Sequence, residues 1–228
     1  DIKEASFDHI IYAAAKKKAE ELAQYGVSVH FFALHSISSS ELERFVDFYA
    51  SHPNISGWVA PGTYAEAIRR IETEQNHAPT PVVTYNLDSD TPKDRLCYVG
   101  CDYHKAGRIA CGLTALMSGE NAKILVISDD PGTMQSGMER LQGYREELRQ
   151  YPDMQIVSEL YTEEGEEMQA PSLKKRVRRT LSEHPEITTV YLMNPGDYSI
   201  CDVIHSASKV HKKVVITNDL VTDEQVAM

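Results

Sequence analysis

The chain lacks a long apolar run. No stretch of its 228 residues is long enough to span a bilayer, and no secretory signal is present. Neither absence places the protein, because the chain opens abruptly at Asp1. It also lacks positive charge: 23 Lys and Arg face 34 Asp and Glu, a formal charge of −11. That balance argues against nucleic-acid binding by its own surface, since phosphate contacts need clustered Lys and Arg. Lys174, Lys175, Arg176, Arg178 and Arg179 form the one basic cluster. They alternate with Leu173, Val177 and Leu181, which reads as the solvated face of a helix. Cysteine is scarce, and Cys97, Cys101, Cys111 and Cys201 match no zinc spacing. They read as reduced core residues, which leans toward a cytoplasmic setting, and no metal or cofactor is expected.

Catalytic motifs are missing as well. There is no phosphate-binding G-x-x-x-x-G-K-[ST]: Gly132 and Gly137 have the spacing, but Met138 stands where lysine is required. G-x-S-x-G, H-E-x-x-H and G-x-G-x-x-G do not occur. The nine histidines are scattered, and His104 beside Asp102 is the nearest thing to an acid/base pair. No nucleophile stands beside a base, so the expectation is a protein that holds its ligand and does not transform it.

What is present is alternation. Apolar content of 42% with 25% charged residues is that of a folded globular chain, long enough for one domain or two smaller ones. Ile11, Ala15, Ala19 and Leu22 predict an opening helix capped by Ser6 or Asp8, and Gly26 ends it. Val27 to Leu34 reads as a strand, Leu42, Phe45, Val46 and Tyr49 as a helix, and Ile55 to Ala60 as a strand stopped by Pro61. Tyr64, Ala67, Ile68 and Ile71 give a helix, then Pro81 to Tyr85 and Leu96 to Gly100 give strands. The second half repeats this order: a helix on Ala106, Ile109, Ala110, Leu113 and Met117, the strand Ala122 to Ser128, a helix on Met138, Leu141 and Leu148, and the strand Gln155 to Tyr161. A helix over Leu173 to Leu181, the strand Thr188 to Met193, a helix on Ile200, Val203, Ile204 and Ala207, and the strand Lys213 to Thr217 complete it. Strands alternating with helices predict βαβ units and parallel sheets, and the two sets predict two lobes.

Polar residues gather just past the strands. Asn86, the loop leading to Arg140, Asn194, and the pair Asn218 and Asp219 each follow a buried strand, where open α/β sheets bind ligands. Carboxamides, a carboxylate and a guanidinium together suit a polyhydroxylated ligand, with Phe7, Tyr161 or Tyr198 to cover its apolar face. Residue type alone favours a different role for Arg140, that of an exposed or capping arginine paired with Glu139.

The run Tyr98 to Gly107 (YVGCDYHKAG), the strand AKILVIS and the stretch MERLQGY, with Arg140, Gly143 and Tyr144 as R-x-x-G-[FY], resemble the effector-binding core of LacI/GalR-type transcription regulators. The same signature is shared by sugar-binding proteins of the type I periplasmic fold. The resemblance implies a two-lobed α/β fold with parallel sheets flanked by helices and a ligand cleft between the lobes. Residues 1–103 would form the first lobe, without its first strand, and 104–228 the second, without its final return to the first. By matching strand ends, it implies ligand-binding roles for Asn86, Arg140, Asn194, Asn218 or Asp219, and an aromatic at Phe7; Pro61 stands where some members place a polar contact.

Two functions follow from the resemblance. One is a cytoplasmic regulator, homodimeric, that senses a sugar or sugar derivative by lobe closure and reads operator DNA through a headpiece outside this chain. The other is an extracytoplasmic sugar-binding protein of a transporter.

Overall fold

The structure is a computed structural model. It describes residues 7–33, 39–129, 135–163, 166, 170–193, 199–207 and 212–218. The chain divides into two compact units, Asp8–Cys101 and Asp102–Met228, with Phe7 grouped to the latter. Each is described by itself.

The first unit opens within α1 (Phe7–Ala23), where Asp8 is a residue of the first turn; the other expected cap, Ser6, lies outside the described residues. Gly26, at φ 78°, closes the helix: its N–H donates to the Ala23 carbonyl and the Val27 N–H to that of Leu22. This paired ending is the Schellman motif, and its left-handed residue favours glycine. Then come α2 (Ser39–Ser51), β1 (Trp58–Ala60), α3 (Gly62–Glu74), β2 (Val82–Tyr85), a short 3-10 turn (Pro92–Asp94) and β3 (Cys97–Val99). The strands form one parallel sheet in the order β1-β2-β3. Phe45 and Tyr49 of α2 and Ala65, Ile68 and Ile71 of α3 pack with Val82 on one face of it.

The strand expected over Val27 to Leu34 is not found. Residues 27–33 are described without strand pairing, and Leu34 lies outside the described residues. Val27, Val29 and Phe31 are exposed, and Phe32 packs against Phe45 and Phe48. Alternating apolar residues favour a strand only where another strand's edge meets them, because its backbone groups must be paired across a ladder.

The second unit comprises α4 (Tyr103–Ser118), β4 (Lys123–Ser128), α5 (Gln135–Leu148), β5 (Gln155–Tyr161), α6 (Pro171–Glu183), β6 (Thr189–Leu192), α7 (Ser199–Ala207) and β7 (Val214–Thr217). Its four strands are parallel, in the order β5-β4-β6-β7. Side chains of a strand alternate between faces, and β4 shows it. Leu125 and Ile127 join Leu173, Val177, Ile200 and Ile204 beneath α6 and α7. Ile124 and Val126 join Ala110, Cys111, Leu141 and Tyr144 beneath α4 and α5.

Helix α4 turns another face inward than its apolar spacing predicts, whereas α5 departs at Met138 alone, with Leu141 buried and Leu148 packed against the core. On α4, Ile109 (58% exposed), Leu113 and Met117 face out, while Tyr103, Gly107, Ala110, Cys111 and Thr114 are buried. On α5, Met138 is exposed and Ser136, Gly137, Arg140, Leu141, Gly143 and Tyr144 are buried. The reason is a close helix crossing. A Cβ on Gly107 would strike the Arg140 carbonyl, and one on Gly143 would strike that of His104. The small-residue faces therefore meet, and Ile109, Leu113, Met117 and Met138 are left outside.

The cysteines divide likewise. Cys111 and Cys201 are buried, but Cys97 and Cys101 are exposed, so the expectation of four core thiols holds for two; all four are free. Burial, reinforced by the Glu147 carboxylate, pushes the Cys111 thiol up to about 12, which keeps it protonated and unreactive. Among the described residues, no helix is long and apolar enough to cross a membrane.

Candidate functional site

In the second unit the chain leaves β4 to build β5 on one side and returns to build β6 on the other. The strand order reverses there, and such a switch point opens a crevice outside the carboxyl ends of the strands. At that edge Ser128 is fully buried at the end of β4, its Oγ without a hydrogen-bond partner among the described residues. Met193 follows β6, its N–H donating to the Ile127 carbonyl at 2.9 Å. Asn218 follows β7, with Nδ2 donating to the Met193 carbonyl at 3.0 Å and to the Tyr191 hydroxyl at 3.2 Å. Its carboxamide thus joins the ends of β6 and β7. Tyr191 in turn stacks on Tyr144, ring centroids 4.6 Å apart, and the Tyr144 hydroxyl donates to Thr114 at 3.0 Å. The switch point rests on a buried aromatic layer.

Arg140, in the second turn of α5, is only 8% exposed. Its guanidinium lies over the Tyr103 ring, 4.7 Å from the centroid. The exposed or capping arginine that residue type favours is therefore not what the fold contains. Glu139 is engaged by Gln135, whose Nε2 donates to it at 2.9 Å. His104 and Asp102 form no catalytic pair. The Asp102 side chain caps α4 by accepting from the Lys105 N–H, and His104 Nε2 stands 2.8 Å from Glu146.

Outside edge strand β5 an open groove of about 680 Å³ is lined by Met138, Leu141, Gln142, Arg145, Glu159 and Tyr161 among others, and not by Arg140. Arg145 holds both Glu159 oxygens, at 2.6 and 2.7 Å, and the Tyr161 hydroxyl donates to Glu159 at 2.5 Å. Burial first, then the Glu159 carboxylate, raise the Tyr161 pKa. Tyr161 is thus drawn into this ion pair. The basic helix face holds in part: Lys175, Arg178 and Arg179 are exposed, while Arg176 is half-buried against Glu166.

In the first unit Asn86 follows β2 in the left-handed conformation, φ 59°, which Asn tolerates better than most residues. Its N–H donates to the Val99 carbonyl, and its own carbonyl lies 2.7 Å from the Tyr98 hydroxyl. Pro61 precedes α3 with φ −56° and makes no side-chain cap bond.

Nearby is a network that reasoning from the sequence missed. Asp88 accepts from Arg95 Nε at 2.5 Å and Nη2 at 2.7 Å, from the Thr84 hydroxyl and from the Ser89 N–H. Burial works against its charge, but these donors outweigh it and hold the carboxyl below its ordinary range. A Cβ on Gly62 would strike the Asp88–Ser89 backbone, so the turn seats directly on α3. In the sequence these residues look like any polar turn, DSDTPKDR; the acid and the arginine seven residues on were the available signal.

Of the six residues implied by the resemblance, Asn86 belongs to the first unit, and Arg140 and Asn218 to the second. Asn194 and Asp219 lie outside the described residues, as does the side chain of Phe7. Tyr198 lies outside them too. Among the described residues, no group of three or more His, Cys, Asp or Glu is placed to hold a metal ion.

Residues 6–228 match the family model of the periplasmic binding protein domain. Among solved structures, the chain is similar to GanP, a glucose-galactose binding protein from Geobacillus stearothermophilus, at 20% identity and a TM-score of 0.73, covering 98% of this chain and 78% of that one. It is also similar to an ABC transporter solute-binding protein from Burkholderia graminis C4D1M in complex with D-arabinose: 21% identity, TM-score 0.68, 93% and 72% covered. A third is the periplasmic binding protein component of the arabinose ABC transporter from Shewanella sp. ANA-3, bound to α- and β-L-arabinofuranose: 14% identity, TM-score 0.67, 95% and 71% covered. At these identities the likeness is one of fold. No curated protein matches the chain. With the match running over nearly its whole length, and two units of parallel sheet flanked by helices, the chain belongs to the periplasmic binding protein domain family.

Proposed function

We propose that this protein binds a small sugar, as the solute-binding component of a transporter does. The observation that carries the reading is Arg140: a guanidinium buried early in the helix that follows β4, its flat face laid on Tyr103. A planar fork of donors so held suits adjacent sugar hydroxyls, and a desolvated charge strengthens each bond it makes. Asn86, Asn194 and the Asn218/Asp219 pair supply further amide and carboxylate partners at strand ends in this reading. The similar structures named above are of proteins that bind glucose and galactose or arabinose, and two of the three serve ABC transporters, which supports transport over regulation. The ligand is held unchanged, with no enzyme step.

The second reading is the sugar-sensing core of a LacI-type regulator, cytoplasmic and homodimeric, acting on operator DNA through a headpiece. Four free thiols favour it.

The first experiment is a thermal-shift panel of D-arabinose, L-arabinose, D-glucose, D-galactose and D-allose, since a ligand bound only by the native state raises the midpoint. One or more should raise it. Arg140→Ala should then cost about 2 to 4 kcal/mol of binding, because it also strands buried hydroxyls. Affinity kept within twofold by a folded Arg140→Ala protein would reduce Arg140 to a structural residue. Fractionation of native cells separates the two readings: recovery outside the cytoplasm supports transport, and recovery with chromosomal DNA supports regulation.

A further inference from the structure

We infer that Tyr103 is the positioning residue for Arg140, and that the Gly107–Gly143 helix crossing exists to set the two side chains face to face. The inference rests on the sugar-binding reading for its ligand and on geometry for its mechanism. Tyr103 is the first residue of α4, fixed by the Asp102 cap just before it. It stands one turn ahead of Gly107, and Arg140 stands one turn ahead of Gly143. At the crossing each glycine admits the other helix's backbone, Gly107 the Arg140 carbonyl and Gly143 that of His104. Residues one turn back on each helix are thereby brought together. The result is a guanidinium 4.7 Å above a phenol ring, with Tyr103 6% exposed and Arg140 8%.

A free arginine side chain has much rotamer freedom to lose when a ligand engages it. On Tyr103 that freedom is surrendered at folding, and ring attraction for the cation holds the fork by its face. In the sugar-binding reading a ligand is met by the edge of the guanidinium, where its donors lie. Binding is then tighter because ordering no longer has to accompany it.

The test reads the side chain and the ligand separately. Nitrogen-15 NMR of the intact chain should show the Arg140 Nε–Hε proton shifted upfield by the ring current and as rigid as the backbone. In Tyr103→Leu the shift should vanish, the group should become mobile, and D-arabinose affinity should fall about tenfold. In Tyr103→Phe, which keeps the ring, shift and rigidity should persist and affinity should stay within threefold. An unshifted or mobile Arg140 signal in the wild-type protein overturns the inference without any variant. So does Tyr103→Leu binding D-arabinose as the wild type does. If the wild type binds none of the five sugars, the sugar reading fails, and the NMR signature still decides whether Tyr103 holds Arg140.

Discussion

The two units close a parallel sheet with different materials. In Asp102–Met228, β4 is buried from Ile124 to Ser128 and β6 along its whole length. Apolar clusters fill both faces, and helices meet backbone to backbone. In Asp8–Cys101 the described apolar cluster lies on one face. On the other, Val59 is 72% exposed and Val99 also faces solvent, and none of the described residues 9–23 of α1 is buried. Polar networks hold the loops there: Asp88 with Arg95 and Thr84, and Glu72 with Arg69 and Thr80. Burial is unspecific in direction and scales with area, whereas a network depends on each partner. The second unit should therefore be sensitive to shape, and the first to charge.

The sharpest break of that contrast is Gly143→Ala. Its Cβ meets the His104 backbone, so α4 and α5 must separate, at a cost of about 3 kcal/mol by urea unfolding. A loss under about 1 kcal/mol would mean that the crossing is slack. Next is Glu72→Ala in the first unit. Glu72 is almost fully buried, accepts from the Thr80 N–H at 3.0 Å and from its hydroxyl, and takes Arg69 at 2.8 Å. Stranding those donors should cost about 2 kcal/mol.

Asp88 should make the first unit acid-sensitive. Its folded pKa lies below the ordinary value, so its stabilisation is complete above about pH 4 and is lost as pH falls through the lowered pKa. Asp88→Asn should cost about 1.5 kcal/mol at pH 7 and flatten the acid limb of stability against pH. An unchanged acid limb would remove Asp88 from the account. The smallest effect sharpens the comparison from within one helix. Gly112 shares α4 with Gly107, yet a Cβ there meets nothing within 4 Å, so Gly112→Ala should stabilise by about 0.5 to 1 kcal/mol. Opposite signs for Gly112→Ala and Gly143→Ala would separate helix propensity from packing.

Much of the order of elements was legible beforehand. AKILVIS reads as a strand buried on both faces, and KILVIS is one. Leu173, Val177 and Leu181 mark the inner face of α6, and all three are buried. Strand ends came out longer in the sequence than in the fold: Ile55 to Ala60 shrinks to Trp58–Ala60, and Leu96 to Gly100 to Cys97–Val99. Pairing ends where the neighbouring strand ends, and β-propensity does not register that. Of the candidate site, the position of Arg140 was legible, because a loop after a buried strand and a helix start mark it. Its burial was not, since nothing in residue type shows that Tyr103 lies beneath it.

By itself, then, the sequence determined periodicity: the helices, the strands other than Val27 to Leu34, that strands are parallel, and that Asn86 and Asn218 follow them. Those follow from local geometry, a side chain every 100° on a helix and every second residue on a strand. The tertiary structure decided which face α4 turns inward, that Val27 to Ala33 pairs with no strand among the described residues, and that Asp88 meets Arg95. Each of these depends on a partner distant along the chain or on a backbone approach that only glycine allows, and local spacing carries no record of either.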